Sequence, residues 1–292
     1  MIRHDHCPGR LAEKVIVISG STQGIGLGMA KRFSAEGASV VINDHGANDG
    51  ETIAEAVAQE GGEAIYVQAD AGKPEEIDHL IEKTVEEFGR IDVLVNNVTN
   101  SVSGPFEERT LEEWDSVMDV ALKSYWYYTK QALPHMPEGS SVINISSVHA
   151  IQTDPECFPY NVANSGINGL TRALSIELGV HGIRVNTIMP GKILTEALSD
   201  HDYEDGTWED HEQDPFPAHR HDPDSKKSIE RQNTELDPIG RFGTPADIAG
   251  LAAYLAADES SLMTGTAIPV DGGRTTTLRD HDYAQWLRER SE

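Results

Sequence analysis

Cysteine is almost absent from this chain: Cys7 and Cys157 are the only two, far apart and without a CxxC pair. That excludes a disulfide framework and a cysteine-based zinc site, and both are expected to be free thiols. Long apolar runs are also missing. No stretch approaches the roughly 18 residues of a membrane span, and the opening MIRHDHCPGRLAEK lacks an apolar signal core, so a soluble, cytoplasmic protein is expected. Positive charge is the third scarcity. Acidic residues number 49 against 23 basic ones, nine of them lysine, for a formal charge of −26. Such a surface repels nucleic acid and anionic membrane, and neither is expected as a partner. Its self-repulsion disfavours the compact state unless salt screens it, which makes a halophilic, acidic surface the preferred reading.

What is present is a regular alternation. At 292 residues the chain suits one large α/β domain. Apolar, β-branched runs at 14–19, 38–43, 64–68, 92–96, 141–145, 184–187 and 266–270 read as strands. Helical patterns fall between them at 25–36, 50–60, 75–87, 111–135, 160–178 and 245–255. Nearly continuous apolar strands separated by helices predict a doubly wound, Rossmann-type parallel sheet, with ligands at the carboxyl ends of the strands. A polar leader at 1–11 precedes the domain at 12–273, and a charged tail at 274–292 follows, with a short helix expected at 283–288. Residues 198–237 break the pattern with acid, histidine and proline, and are expected to form a long acidic substrate lid.

The turn after the first strand is GSTQGIG, in which Gly20, Ser21, Gly24, Ile25 and Gly26 open the first helix. Glycines there permit a tight turn and bring backbone N–H groups close to a pyrophosphate at the positive end of the helix. Asp44 ends the second strand, where a carboxylate accepts hydrogen bonds from both adenosine ribose hydroxyls and repels a 2′-phosphate. Neither Gln23 nor His45 is a lysine or arginine that would receive that phosphate. NAD is therefore expected in preference to NADP.

By these residues the chain resembles the short-chain dehydrogenase/reductase family over about residues 12–273. Gly20, Gly24 and Gly26 match its TGxxxGxG turn, with Ser19 for threonine. The resemblance implies that Asp70, beside Ala71, holds the adenine amino group, and that Asn97, in the Asn96-Asn97-Val98 strand end, lines the cofactor site. It implies too that Pro190, Gly191, Ile193 and Thr195 of PGKILT meet the nicotinamide carboxamide. Pro238 to Arg241 and Val270 to Gly273 match late landmarks, and a homo-oligomer, tetramer or dimer, is expected.

Ser147 stands thirteen residues before Tyr160, the spacing of the family's catalytic pair. In the mechanism this implies, Tyr160 as phenolate takes the hydroxyl proton of a secondary alcohol, Ser147 bonds the substrate oxygen, and hydride passes to the nicotinamide. Two departures accompany the match. Asn164 occupies the place of the lysine that lowers the tyrosine's pKa and binds the nicotinamide ribose; it bonds ribose but supplies no charge. Ala121 occupies the place of the asparagine whose water relay leads to that lysine, and Lys123, two positions on, faces away. His149 resembles the Ser-x-His of hydroxybutyrate dehydrogenases, as substrate anchor or auxiliary acid/base, and equally suits an ordinary loop histidine. His201, His211, His219 and His221 have no metal-ligand spacing, so no metal is expected. Cys157, Phe158 and Trp208 are expected near the substrate. The reading is an NAD-dependent oxidoreductase acting on a small-molecule alcohol or ketone. Its alternatives are a non-catalytic NAD-binding protein and an NAD-using lyase or isomerase; the intact glycine turn argues against a halohydrin dehalogenase.

The charge generates a first prediction. Thermal melts in a KCl series from millimolar to molar should show a rising midpoint, because screening relieves carboxylate repulsion in the compact state; a flat or falling midpoint removes the halophilic reading.

Overall fold

The computed structural model describes residues 7–46, 49–102, 104–195 and 238–276. The 198–237 segment, with Trp208 and the four histidines His201, His211, His219 and His221, and the helix expected at 283–288 lie outside the described residues.

Seven strands pair in parallel: β1 (Val15–Ile18), β2 (Ser39–Asp44), β3 (Glu63–Gln68), β4 (Val93–Asn96), β5 (Ser141–Ile145), β6 (Arg184–Pro190) and β7 (Ala267–Val270). Their order across the sheet is β3-β2-β1-β4-β5-β6-β7. Alternate side chains serve opposite faces, as a two-residue repeat requires. Ile16, Ile18, Val40, Ile42, Val93 and Val95 pack with Met29 and Phe33 of α1 (Gly24–Ala35), Val57 of α2 (Gly50–Ala58) and Ile248 of the last helix. Val17, Val41, Leu94 and Val142 pack on the other face with Leu80 of α3 (Pro74–Phe88) and with Tyr128 and Leu178. Among the described residues the remaining helices are α4 (Leu111–Met118), α5 (Ser124–Ala132), α6 (Tyr160–Gly179) and α7 (Pro245–Ala256). Among the described residues no helix is long and apolar enough to cross a membrane.

The helix expected at 111–135 is one path in four pieces. A π-helical turn over Asp119–Lys123 separates α4 from α5, and a 3₁₀ turn over Leu133–His135 ends it. Pro134 withdraws its N–H from the α-helical ladder and tightens that end. Leu122 of the π turn lies so close to Gly166 of α6 that any Cβ there would clash.

The two ends of the domain meet. Gly28 of α1 abuts Pro245 of α7, where a side chain on the glycine would collide with the proline ring, and Lys14 pairs with Asp258 at 2.9 Å. The packed body begins before residue 12: Leu11 is fully buried and its N–H donates to the Glu36 carbonyl at 3.0 Å. Glu36 is itself fully buried, with Arg10 donating to both carboxylate oxygens at 2.6 and 2.9 Å and Arg32 Nε to one of them. Removing the acid takes a buried carboxylate partner from two guanidinium groups at once. Glu36→Ala is therefore expected to cost about 3 to 5 kcal/mol in urea unfolding; a loss below about 1 kcal/mol would show that the cluster is solvated, as for a surface pair.

Candidate active site

β1 stops at Ile18, and the chain turns into α1 through two glycines in the left-handed region, Gly20 at φ 62° and Gly24 at φ 55°. A Cβ on Gly26 would run into the Gly20 carbonyl, so the first turn of α1 lies directly against the loop. That turn carries no acidic residue and no side-chain cap. Its N–H groups and positive dipole end are thus directed at whatever anion the loop receives, which suits a pyrophosphate.

Neighbouring strands brace the loop. The Asn97 amide donates to the carbonyls of Ser19 (3.0 Å) and Gly20 (2.8 Å), while the Ser19 hydroxyl accepts from the N–H of Asn97 (2.9 Å) and Val98 (3.2 Å). On the other side the Ser21 hydroxyl donates to the Ile18 carbonyl (2.9 Å) and accepts from Asn43 N–H (3.0 Å). Ile25 packs into the core beneath. Asp44, at the end of β2, accepts from the Thr22 hydroxyl at 2.8 Å and from Gly46 N–H at 3.2 Å, with His45 Nδ1 at 3.0 Å. Thr22 therefore ties the Asp44 carboxylate to the glycine loop, a bond the sequence reading missed although Thr22 lay inside the motif. Asp70 accepts from Gly72 N–H at 2.9 Å in its own turn, and Ala71 is buried beside it.

The segment leaving β6 closes the same edge. Gly191 N–H donates to the Val270 carbonyl at 3.0 Å beyond Pro190, and Ile193 is buried and bridges to Gly243. Thr195 stands over Gly24: a Cβ on that glycine would lie 3.4 Å from Thr195 Cγ2.

Beside this cradle sit Ser147 and Tyr160. Ser146 and Ser147 leave β5 buried, and the Ser147 oxygen accepts the N–H of His149 at 3.2 Å, capping the 3₁₀ turn Val148–Ala150. Tyr160 is the first residue of α6. Burial pushes its phenol above the ordinary tyrosine value, and hydrogen bonding with the side chains of Ser147 and Asn164 opposes that rise. The His149 ring meets the Tyr160 ring edge-on at 5.8 Å between centroids, while its Nδ1 lies 3.2 Å from Thr153 Oγ1. Asn164 is 3% exposed and donates to the Tyr160 carbonyl at 2.9 Å. Its own carbonyl accepts from the Ser146 hydroxyl at 3.0 Å, which holds α6 against the end of β5. Ala121 is buried in the π turn against Val117 and Ala163, and Lys123 points outward to pair with Asp119 at 2.9 Å. Burial raises the Cys157 thiol, and Phe158 stacks between Phe106 and Trp114.

Two further supports were not legible in the sequence. Tyr125, fully buried, places its hydroxyl 3.0 Å from the Val98 carbonyl and 2.9 Å from that of Ile145, bridging the ends of β4 and β5. A buried polar chain runs from Asn96 Nδ2 to Asn144 Oδ1 (2.8 Å), from Asn144 Nδ2 to Thr171 Oγ1 (2.8 Å) and on to Thr187 Oγ1 (2.6 Å). It fastens β4, β5, α6 and β6 together just beneath the site. Among the described residues no group of three or more His, Cys, Asp or Glu side chains converges on a metal position.

Comparison with known proteins agrees with this geometry. A family profile described as Enoyl-(Acyl carrier protein) reductase matches residues 20–224 and 216–275. The chain is 36% identical over 271 residues to 3beta-hydroxysteroid dehydrogenase 1 of Eggerthella lenta, covering 91% of this chain and 95% of the relative. It is also 36% identical over 272 residues to glucose 1-dehydrogenase 2 of Bacillus subtilis, covering 91% and 96%. A solved short-chain dehydrogenase/reductase from Serratia marcescens superposes with a TM-score of 0.79 at 29% identity, over 91% of this chain and 99% of that one. A glycine cradle, a Ser and Tyr pair on one sheet edge and relatives matched over nine-tenths of the chain together place this protein in the short-chain dehydrogenase/reductase family of NAD(P)-dependent oxidoreductases.

Proposed function

We propose that this protein interconverts a secondary alcohol and its ketone with NAD as the preferred cofactor, using Tyr160 and Ser147 without a lysine partner. The observation that carries the proposal is that Ser147, at the end of β5, and Tyr160, opening α6, stand on the edge of the sheet that also bears the glycine cradle. Gly20, Ser21, Gly24, Ile25 and Gly26 would hold the pyrophosphate, Asp44 the adenosine ribose, Asp70 and Ala71 the adenine, and Asn97, Pro190, Gly191, Ile193 and Thr195 the nicotinamide end. A nicotinamide bound there would supply the hydride acceptor for the alcohol and the hydride donor for the ketone.

Ser147 donates to the substrate oxygen, and Tyr160 exchanges the proton on that oxygen. Because burial raises the Tyr160 phenol, it is protonated at neutral pH. The protonated form is the one that gives a proton to a ketone, whereas oxidation draws on the phenolate, whose share grows in alkali. Asn164 keeps α6 seated on β5 and stabilises the phenolate through a hydrogen bond alone. His149, whose ring meets that of Tyr160, would touch a substrate that enters above the phenol.

Two predictions follow from these residues. Asp44 disfavours a 2′-phosphate, so calorimetric titration should show NAD binding at least tenfold more tightly than NADP, about 1.4 kcal/mol; equal affinity, or preference for NADP, removes the role given to Asp44. In the oxidation direction the pH–rate profile should still be rising in the alkaline range. Asn164→Lys should move that limb down by about one to three pH units, the effect of an adjacent opposite charge, while Tyr160→Phe abolishes turnover. A wild-type plateau near pH 7 that survives Tyr160→Phe and is lost in His149→Ala would make His149 the base. NAD binding with no turnover in any variant would favour the non-catalytic reading.

A further inference from the structure

The substrate's class can be read from the rim above the Ser147 and Tyr160 pair. β4, β5 and β6 are neighbours in the sheet, and their carboxyl ends open onto the site. The segment leaving each of them presents a large apolar side chain to solvent: Phe106 after β4 is 71% exposed, Ile151 after β5 56% and Leu194 after β6 41%. Behind Phe106 the wall continues through Phe158, whose ring centroid is 5.2 Å from Phe106 and 5.5 Å from Trp114. Phe158 lies two residues before Tyr160, which connects the aromatic wall to the reacting phenol.

Large apolar side chains left exposed in the three segments that follow neighbouring strands mark a surface suited to an apolar cover. The same strand ends carry Ser147 and, through Phe158, lead to Tyr160, which identifies the cover. We propose that Phe106, Ile151 and Leu194, with Phe158 and Trp114 behind, receive the bulky apolar body of a ring-containing secondary alcohol or ketone. The inference rests on the oxidoreductase reading and narrows it.

Two rival substrate classes fit less well. A hydroxy acid brings a carboxylate that needs a cation. Arg109, nearest to Phe106 in the chain, is 3.2 Å from Glu113, and Arg274 lies 4.0 Å from Asp154, so both guanidinium groups already face carboxylates. Among the described residues His149 and Lys192 also lie in the segments that leave β5 and β6, which makes a hydroxy acid the proper competitor in the test. A sugar needs hydroxyl-matching polar groups at its periphery, where these loops place phenyl and branched alkyl side chains. The two relatives of equal identity are named for a steroid and for glucose, so overall similarity does not choose between ring hydrocarbon and sugar.

The test compares kcat/KM for decahydro-2-naphthol, 3-hydroxybutyrate, glucose and 2-propanol with NAD, together with calorimetric binding of each to the NAD-loaded protein. The fused-ring alcohol should be preferred. Phe106→Ser and Ile151→Ser, at exposed positions that leave the core intact, should each lower the ratio of decahydro-2-naphthol to 2-propanol kcat/KM about tenfold. Leu262→Ser, 96% exposed at the surface after α7, is the control and should leave that ratio unmoved. Preference for 3-hydroxybutyrate or glucose overturns the inference while sustaining the oxidoreductase reading. Rim variants that match the Leu262→Ser control also overturn it, since the apolar side chains would then be covered by this chain or by a partner protein. Tighter binding of decahydro-2-naphthol than of the others, without turnover of any, sustains the apolar site and overturns the oxidoreductase reading; binding of none overturns both.

Discussion

Parallel pairing of all seven strands is the constraint on which the rest depends. It sends every carboxyl end to one edge, where the ladder stops and backbone N–H and C=O groups must find other partners. Side chains supply them. Ser21 and Asn43 connect β1 to β2, Ser19 and Asn97 connect β1 to β4, and Tyr125 bridges β4 to β5. Each of these bonds finishes a strand and fixes a wall of the site in the same act, so the cradle is rigid because the sheet must end there.

The centre of that edge is neutral in a chain of strongly negative charge. Tyr160, Ser147, Asn164 and Ala121 carry no formal charge at neutral pH, whereas carboxylates dominate the composition. A phenolate formed among buried neutral groups is opposed by lost hydration, with only hydrogen bonds from Ser147 and Asn164 to stabilise it. Asn164 is well accommodated in its place: it bonds the preceding turn through its side chain and β5 through its carbonyl. The helix that Tyr160 opens is thus held as firmly as an ordinary structural helix, by bonds that involve no charged group.

The sheet, its helices and most of the cradle were legible because their signals are local. Strand residues are β-branched and continuous, and the glycines of the turn sit at fixed offsets from β1. Ser147 and Tyr160 were legible through their spacing. What escaped depends on contacts between residues far apart in the chain. Tyr125 reads as one more aromatic on a helical face until β4 and β5 bring two carbonyls to it. Glu36 reads as a solvated acid, yet Arg10 and Arg32 enclose it completely. The π turn at Asp119–Lys123 has no compositional mark, since an α-helical period describes 111–135 nearly as well; it becomes visible only where Leu122 meets Gly166.

The contact between Gly28 and Pro245 bears on how the chain is made. Synthesis delivers β1, the glycine turn and α1 first, whereas the helix that covers the Gly28 face comes only after most of the chain has been added. Until α7 arrives, the flank of α1 that it covers has no partner, and β5 and β6 lack a helix that packs on them. Contacts between residues so far apart in the chain form late and leave apolar surface exposed meanwhile. A chain cut before residue 245 would therefore lack the helix that closes this side of the core rather than form a smaller working domain.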